Sequence, residues 1–290
     1  MIGTRAALSA GVAVLGLAAV AGPYAADPAV EVGAERLVLE RATRAVAVLD
    51  ALRQAAQPGL DAARGAAAAV LSGEDPPGRG LQEAATLIAG AEVGVAPARR
   101  ALAELSAARS AWRPDTSPLP APIATGALGS IAEQLRAAGP AADAFADHRR
   151  RAVGLPGTLE EALRAMDRGS IDEADRLVAR TRADHEAILA WETDLPTLPV
   201  WIETTDAMIS SVESILAATR AGDGATARAA AAQFAALGEE AATADRALRI
   251  ALGEGGSALT AAPLERLAAA VRAIEAARSA AAAILAQARA

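Results

Sequence analysis

The feature that most constrains this chain is an almost unbroken supply of strong helix formers after residue 26. Ala, Leu, Arg and Glu dominate there, and the alternation of β-branched or aromatic with polar residues that marks strands is missing. Although 53% of the residues are hydrophobic, only 2% are aromatic, so a core must be built from Ala, Leu, Val and Ile. Alanine-rich faces allow neighbouring helices to approach closely. The sequence therefore predicts an all-α fold of antiparallel helical hairpins, arranged as a bundle or a short α-solenoid.

Apolar stripes at the three- and four-residue spacing of a helix predict which faces are buried. Three segments show the pattern: Ile171, Ala174, Val178, Thr181, His185 and Ile188; Ile202, Thr205, Ile209, Val212, Leu216 and Thr219; and Leu264, Leu267, Val271, Ile274, Ala277, Ala281 and Ile284. Each stripe needs a partner surface, so we expect packing against neighbouring helices or against another protomer.

Short polar side chains ahead of helix formers predict where several helices begin. Asp27 precedes Pro28 at a first helical position, and Gly222 stands before Asp223, where one helix should end and the next begin. The capping-box pattern predicts further starts at Ser130 to Glu133, Thr158 to Glu161 and Ser170 to Glu173.

Proline- and glycine-rich segments divide the chain. Residues 113–122 hold four prolines and predict a linker between an N-terminal helical half, 27–112, and a C-terminal helical half, 123–290. We also expect breaks at 72–80 and at 253–263.

Two smaller features of the sequence concern prolines and a repeated pattern. Pro58 and Pro97 are expected to interrupt the helices of the N-terminal half. A loose likeness between residues 52–62 and 135–144 is either a duplicated helical hairpin or a chance alignment in an alanine-rich chain.

The first 26 residues carry the pattern of a secretory signal. Arg5 is the only charged side chain before Asp27, and residues 6–22 form an uninterrupted run of apolar and small residues. The run is at the lower edge of what spans a bilayer, where about 20 residues are typical. We therefore expect residues 1–26 to be a cleaved signal peptide or an N-terminal membrane anchor helix, with a buried N-terminal helix as the alternative. A signal or anchor predicts an extracytoplasmic protein, secreted or held at the outer face of the cytoplasmic membrane.

Missing residue types exclude several kinds of chemistry. The chain has no Cys, Lys or Asn, and all 28 of its basic residues are Arg. Disulfides, thiolate metal sites, Schiff-base catalysis and the P-loop lysine are therefore excluded. The scarcity of residues with A/T-rich codons is typical of a GC-rich bacterial background. A net charge of −7 argues against a nucleic-acid partner, and we expect no cofactor.

The two histidines share a local context that is worth testing as a metal site. His148 follows Asp147, and His185 follows Asp184, so two imidazoles and two carboxylates would be at hand if their helices faced each other. Neither spacing matches a known ligand pair. A histidine at the edge of a hydrophobic core is the competing interpretation for His185.

Arg149, Arg150 and Arg151 form the only dense positive cluster of the sequence. On one surface they would form a basic patch for an acidic partner or lipid head groups. Near a helix C-terminus they would instead complement the helix dipole.

Two of the three tryptophans, Trp191 and Trp201, bracket a proline-containing turn. They predict either an aromatic binding platform for an apolar ligand or partner, or a structural plug at the end of a bundle made mostly of alanine.

No catalytic constellation accompanies these features. The sequence lacks a nucleophile elbow, a dinucleotide-binding glycine motif and a calcium loop. We expect a non-catalytic helical interaction or scaffold module of the bacterial cell envelope that binds a protein partner or associates with itself. The alternative is an extracytoplasmic helical ligand-binding or sensory domain that takes a small apolar ligand. A metal-dependent enzyme that uses the two histidines comes third.

Overall fold

The computed structural model describes residues 28–73, 76–113, 118–120, 123–191 and 193–290. All regular structure within these ranges is helical, and they contain no strand, so the predicted all-α class is confirmed. The helices are α1 (Pro28–Ser72), α2 (Pro77–Glu92), α3 (Val95–Trp112), α4 (Ala127–Asp167), α5 (Ile171–Leu189), α6 (Leu198–Ala221) and α7 (Gly224–Gln287).

The first three helices and parts of α4 and α7 form one bundle. Helices α2 and α3 follow each other antiparallel to α1, since Gly80 lies against Ala66 while Arg41 Nη1 donates to Glu104 Oε2 at 2.7 Å. Residues 127–150 of α4 run antiparallel to α2, and residues 251–287 of α7 run antiparallel to both α1 and α4. We call these elements the first bundle.

The rest of α4 and α7 form a second bundle with α5 and α6. Arg151 of α4 pairs with Asp184 of α5 at 2.8 Å, and Arg182 of α5 pairs with Glu213 of α6 at 2.8 Å. Both contacts join antiparallel neighbours, as expected for helices connected by short turns. We call residues 151–167 of α4, α5, α6 and residues 224–250 of α7 the second bundle. Because α4 and α7 run through both units, the helices form a bundle and not a solenoid.

The core is assembled from small aliphatic side chains, as the composition requires. Four of its large side chains are 0% exposed: Leu49, Leu105, Leu128 and Ile274. The rest of the core cluster is mainly Ala, Val and Leu. Full burial of a Leu or Ile side chain stabilises the fold by about 1.5–3 kcal/mol. Glycine adds to the close packing at Gly59, where a Cβ would overlap the side chain of Ile88.

Four predicted helix breaks or starts are wrong. Helix α1 continues through Pro58, and α7 continues through residues 253–263. Ser130 and Thr158 lie inside α4, where Thr158 Oγ1 donates to the Gly154 carbonyl at 3.2 Å instead of capping a new helix. Packing outweighs the local signals here, because the buried stripe of α7 continues across the glycines and proline that predicted a loop.

Other helix ends agree with the sequence. Helix α6 ends before Gly222, which has a φ of 69°, and the carboxylate of Asp223 accepts from the Ala225 and Thr226 amides at 3.1 Å. Ser170 precedes α5 without a side-chain capping hydrogen bond. The predicted boundary at 113–122 remains a prediction, although the core cluster includes side chains from both sides of it.

The predicted signal or anchor lies outside the described residues. Within the part of the chain that the structure describes, no helix is both long and apolar enough to cross a bilayer. Since α1 and α7 are antiparallel, helix α1 begins at the end of the first bundle where α7 ends.

Candidate functional site

The structure places the two corner tryptophans in different surroundings. Trp191 is half-buried; its ring stacks on His148 at a centroid distance of 4.7 Å and meets Phe145 edge-on at 5.4 Å. Trp201 is only 2% exposed, and its ring centroid lies 6.5 Å from that of His185. The described ring contacts therefore divide the two tryptophans between separate clusters.

The Trp191 cluster lies where the two bundles meet. Phe145 packs against Gly255 and Gly256 of α7, and Gly256 also faces Val70 at the end of α1. A Cβ on Gly256 would lie 3.0 Å from Phe145 and 3.1 Å from Val70, so a larger residue would push these helices apart. Trp191 thereby fills the junction between the bundles.

His148 is held in this junction largely out of water. Burial lowers the pKa of His148, Asp147 acts in the opposite direction, and Arg151 lowers the pKa further. Its Nδ1 atom is buried and has no hydrogen-bond partner among the described residues. The neutral imidazole is the form that suits this environment.

The four metal candidates do not converge. Arg151 donates from Nε to Asp147 and from Nη1 to Asp184, both at 2.8 Å, and its hydrogen bond lowers the pKa of Asp147. His185 is buried in the core, with Nε2 3.1 Å from the Ile202 carbonyl oxygen. The described residues contain no group of three or more His, Cys, Asp or Glu that could hold a metal ion.

The three consecutive arginines have separate surroundings. Arg149 has a buried Nε atom without a partner among the described residues, and its pKa is lowered by burial and by Arg249. Arg150 donates from Nε to the Gly73 carbonyl at 2.8 Å, whereas Arg151 bridges α4 and α5. Arg150 and Arg151 thereby connect α4 to neighbouring segments of the chain.

A cavity of about 340 Å³ opens in the second bundle between α4, α6 and α7. Its walls carry Leu155 and Leu159 from α4, Trp201 and Met208 from α6, and Phe234 from α7. Leu155, Leu159 and Trp201 are themselves buried, so they form the inner part of the wall. Between Phe234 and Asp245, α7 lines the cavity with the small residues Gly238, Ala241 and Ala242, which leave the space open.

Polar groups are few in this cavity. The side chain of Thr205 lines it, is 7% exposed as a residue, and has no hydrogen-bond partner among the described residues. Its neighbour Thr204 instead donates to the Val200 carbonyl at 2.9 Å. Glu160 and Asp245 also line the cavity, and they are paired with Arg164 at 2.9 Å and Arg249 at 2.6 Å.

A second, more open groove of about 600 Å³ lies between the start of α6 and α7. Val200 and Ala244 contribute apolar surface, and Glu239 and Glu240 contribute carboxylates. Only two helices border this groove, whereas three border the cavity beside Trp201. The cavity is therefore the better-formed candidate site.

Comparison with known proteins adds no relative to this geometry. No protein-family model matches the chain, and neither the curated proteins nor the solved structures give a significant match. The function must be argued from the site itself.

Proposed function

We propose that this chain is a non-catalytic helical ligand-binding module, sensory in kind, that works outside the cytoplasm. The observation that carries the proposal is the 340 Å³ cavity that three helices of the second bundle border. Small-molecule sites between bundle helices are typically apolar clefts of about 300–1,000 Å³ with a few polar groups. This cavity has that combination of size, apolar wall and sparse polarity.

The cavity favours ligand binding over a pure scaffold role. Protein interiors are close-packed, and an apolar cleft left open beside a buried Trp forfeits contacts that larger side chains on α7 would make. Trp201, Met208 and Phe234 are among the few large side chains of an alanine-rich chain, and all three border the space. A bound molecule would restore the missing contacts.

The arrangement of the helices supports the sensory form of this role. If residues 6–22 are retained as an anchor, α1 follows directly from the membrane, and the first bundle is the unit nearest the bilayer. The cavity then lies in the outer unit, and α4 and α7 connect it to the inner one. A ligand that changes the packing of α7 in the outer unit can act on the inner unit through a continuous helix.

Recovery of bound molecules tests the proposal. The purified full-length protein is incubated with a small-molecule extract of bacterial cells, separated from free material, and its bound fraction is analysed by mass spectrometry. Gly238→Leu serves as the variant that narrows the cavity, because a Cβ at Gly238 meets no atom within 4 Å. Gly253→Leu is the matched control on the same helix, with equally open surroundings and no place in the cavity.

We expect at least one compound to be enriched on the parent protein and on Gly253→Leu but not on Gly238→Leu. Equal recovery from all three proteins would contradict the proposal, because binding would then not depend on the cavity.

The export part of the proposal rests on Arg5 and the apolar run 6–22. Residues 1–30 fused to a reporter that is active only outside the cytoplasm should give activity. Replacement of Leu15 and Leu17 by Arg should abolish it, because charges within the apolar region prevent insertion. An inactive parent fusion would overturn export.

A protein-interaction role is the second candidate. Leu189, Val200 and Ile250 are large apolar side chains that are 60%, 56% and 65% exposed. Such side chains can be covered by a partner protein or by a second copy of the chain. The metal-dependent enzyme ranks third, because the carboxylates of Asp147 and Asp184 are both engaged by Arg151.

A further inference from the structure

We propose that the ligand of the cavity between α4, α6 and α7 is an uncharged, mainly apolar molecule of one or two rings that carries one hydrogen-bonding group. This inference rests on the proposed ligand-binding function and names the chemical class that the site would accept.

The wall of the cavity selects an apolar, planar molecule. Trp201 and Phe234 offer aromatic surfaces, and Leu155, Leu159 and Met208 complete an aliphatic lining. Aromatic rings gain about 0.5–1.5 kcal/mol from edge-to-face or offset stacking beyond the burial of their area. Met adds a flexible, polarizable side chain that adapts to the outline of a ring.

The volume limits the size of the molecule. A dry apolar cavity of about 150 Å³ is known to bind benzene. The 340 Å³ cavity is therefore large enough for roughly ten to fifteen non-hydrogen atoms, the size of a two-ring compound. A long acyl chain or a peptide would extend beyond the space between the three helices.

Thr205 supplies the polar contact. Its side chain is on the wall, more than nine-tenths of the residue is buried, and its hydroxyl is unpaired among the described residues. This hydroxyl can both donate and accept a hydrogen bond. A ligand hydroxyl or carbonyl placed against Thr205 would replace solvent as the hydrogen-bond partner of this hydroxyl.

The charges near the cavity favour a neutral ligand. Glu160 and Asp245 would repel an anion. A cation would have to compete with Arg164 and Arg249, which already pair with these two carboxylates. Transfer of an unpaired charge into the apolar interior is unfavourable in either case.

Four probes that share one ring system test this class by isothermal titration calorimetry on the full-length protein. β-Naphthol is neutral with one hydroxyl, naphthalene lacks the hydroxyl, β-naphthoate is an anion, and naphthylmethylamine is a cation. We expect β-naphthol to bind saturably and about three- to tenfold more tightly than naphthalene, the difference that one hydrogen bond supplies. Both charged probes should bind at least tenfold more weakly than β-naphthol.

Variants assign the binding to the cavity. Thr205→Val should weaken β-naphthol to the level of naphthalene and leave naphthalene unchanged. Gly238→Leu and Ala241→Leu should each abolish binding of both neutral probes, whereas Gly253→Leu should bind them as the parent does. Far-UV circular dichroism and thermal unfolding of each variant show that the fold is kept.

The outcomes separate the ligand class from the function. If a charged probe binds best, and Gly238→Leu and Ala241→Leu both remove that binding, the neutral class is wrong and a ligand-binding function stands. If β-naphthol and naphthalene bind equally to the parent, the role of Thr205 is wrong. If no probe binds and the extract also yields no compound that depends on the cavity, both the class and the proposed function are wrong.

Discussion

Helix α7 serves two bundles, and its two parts are packed very differently. In residues 224–250, the buried residues are Ala230, Ala244 and Leu248. In residues 251–287, the buried residues recur at nearly every turn: Ala251, Leu252, Gly256, Thr260, Pro263, Leu267, Ala270, Val271, Ile274, Ala277, Ala281 and Ile284. The same continuous helix is therefore closely covered in the first bundle and mostly exposed in the second.

The difference follows from the size and spacing of the apolar side chains. Residues 251–287 offer Leu, Val and Ile at helical spacing, and these fill the space between α1 and α4. Residues 224–250 offer mainly alanine, with Phe234 as their only aromatic side chain. Alanine permits close approach on one side of a helix but cannot fill a space on another. A cavity therefore forms in the second bundle, while the larger side chains of α7 fill the first bundle.

The largest effect is expected at Trp201, on which the core of the second bundle depends. Trp201→Ala should lower the free energy of unfolding by about 3–5 kcal/mol, the usual loss for a fully buried large ring. Trp191→Ala should cost less, about 1–2 kcal/mol, because Trp191 is half-buried. Urea unfolding followed by circular dichroism measures both. A Trp201→Ala protein as stable as the parent would contradict this prediction, because the Trp201 side chain would then contribute nothing to the core of the second bundle.

Two substitutions on α7, one in each bundle, test this difference in packing. Ile274 is 0% exposed in the first bundle, so Ile274→Ala should cost about 2–5 kcal/mol. Phe234 is half-buried beside the cavity, and Phe234→Ala should cost less than about 1.5 kcal/mol, although it removes more atoms. The same urea unfolding experiment applies. Equal losses of unfolding free energy would contradict this difference, because both parts of α7 would then be equally well packed.

Periodicity predicted the buried faces better than local signals predicted the helix ends. The stripe of α5 from Ala174 to Ile188 is buried at its expected positions, including His185, and the α7 stripe from Leu267 to Ile284 is buried as well. The α6 stripe is buried between Thr205 and Leu216 but exposed at Thr219, near the end of the helix. Side-chain burial dominates the energy of these helices, so their apolar spacing carries the stronger information.

The cavity could be predicted only in part. Trp201 was identified as a candidate platform or plug from its rarity, and the structure shows it buried at the edge of an open space. Thr205, Met208 and Phe234 were not identified as site residues. Their role depends on which face of α7 packs against α6 and on how the two helices are aligned. The apolar spacing within each helix does not specify that alignment. A rare aromatic, Phe234, within a long alanine run was the one local signal that pointed to this part of α7.

The smallest effect concerns His148 at the junction of the two bundles. Burial lowers its pKa in the folded protein below the ordinary value of 6.5. At a pH between these two values the unfolded chain binds a proton that the folded chain does not, so unfolding is favoured. The contribution of His148 to stability is therefore complete above about pH 6.5 and is lost as the pH falls toward the lowered pKa.

Two contacts of His148 favour the protonated imidazole and therefore oppose the effect of burial. The pH dependence of stability shows which effect is larger. Asp147 favours the protonated imidazole, and the stack on Trp191 would add a cation–π attraction, whereas burial and Arg151 disfavour it. We expect burial to dominate, so His148→Gln should gain stability relative to the parent protein as the pH falls from about 7.5 to about 5.5. Urea unfolding at several pH values gives this difference, and the retained His185 cancels in it. If lowering the pH instead stabilises the parent protein relative to the variant, the expected direction is wrong. The junction between the bundles would then hold a protonated His148 stacked on Trp191 and not a neutral one.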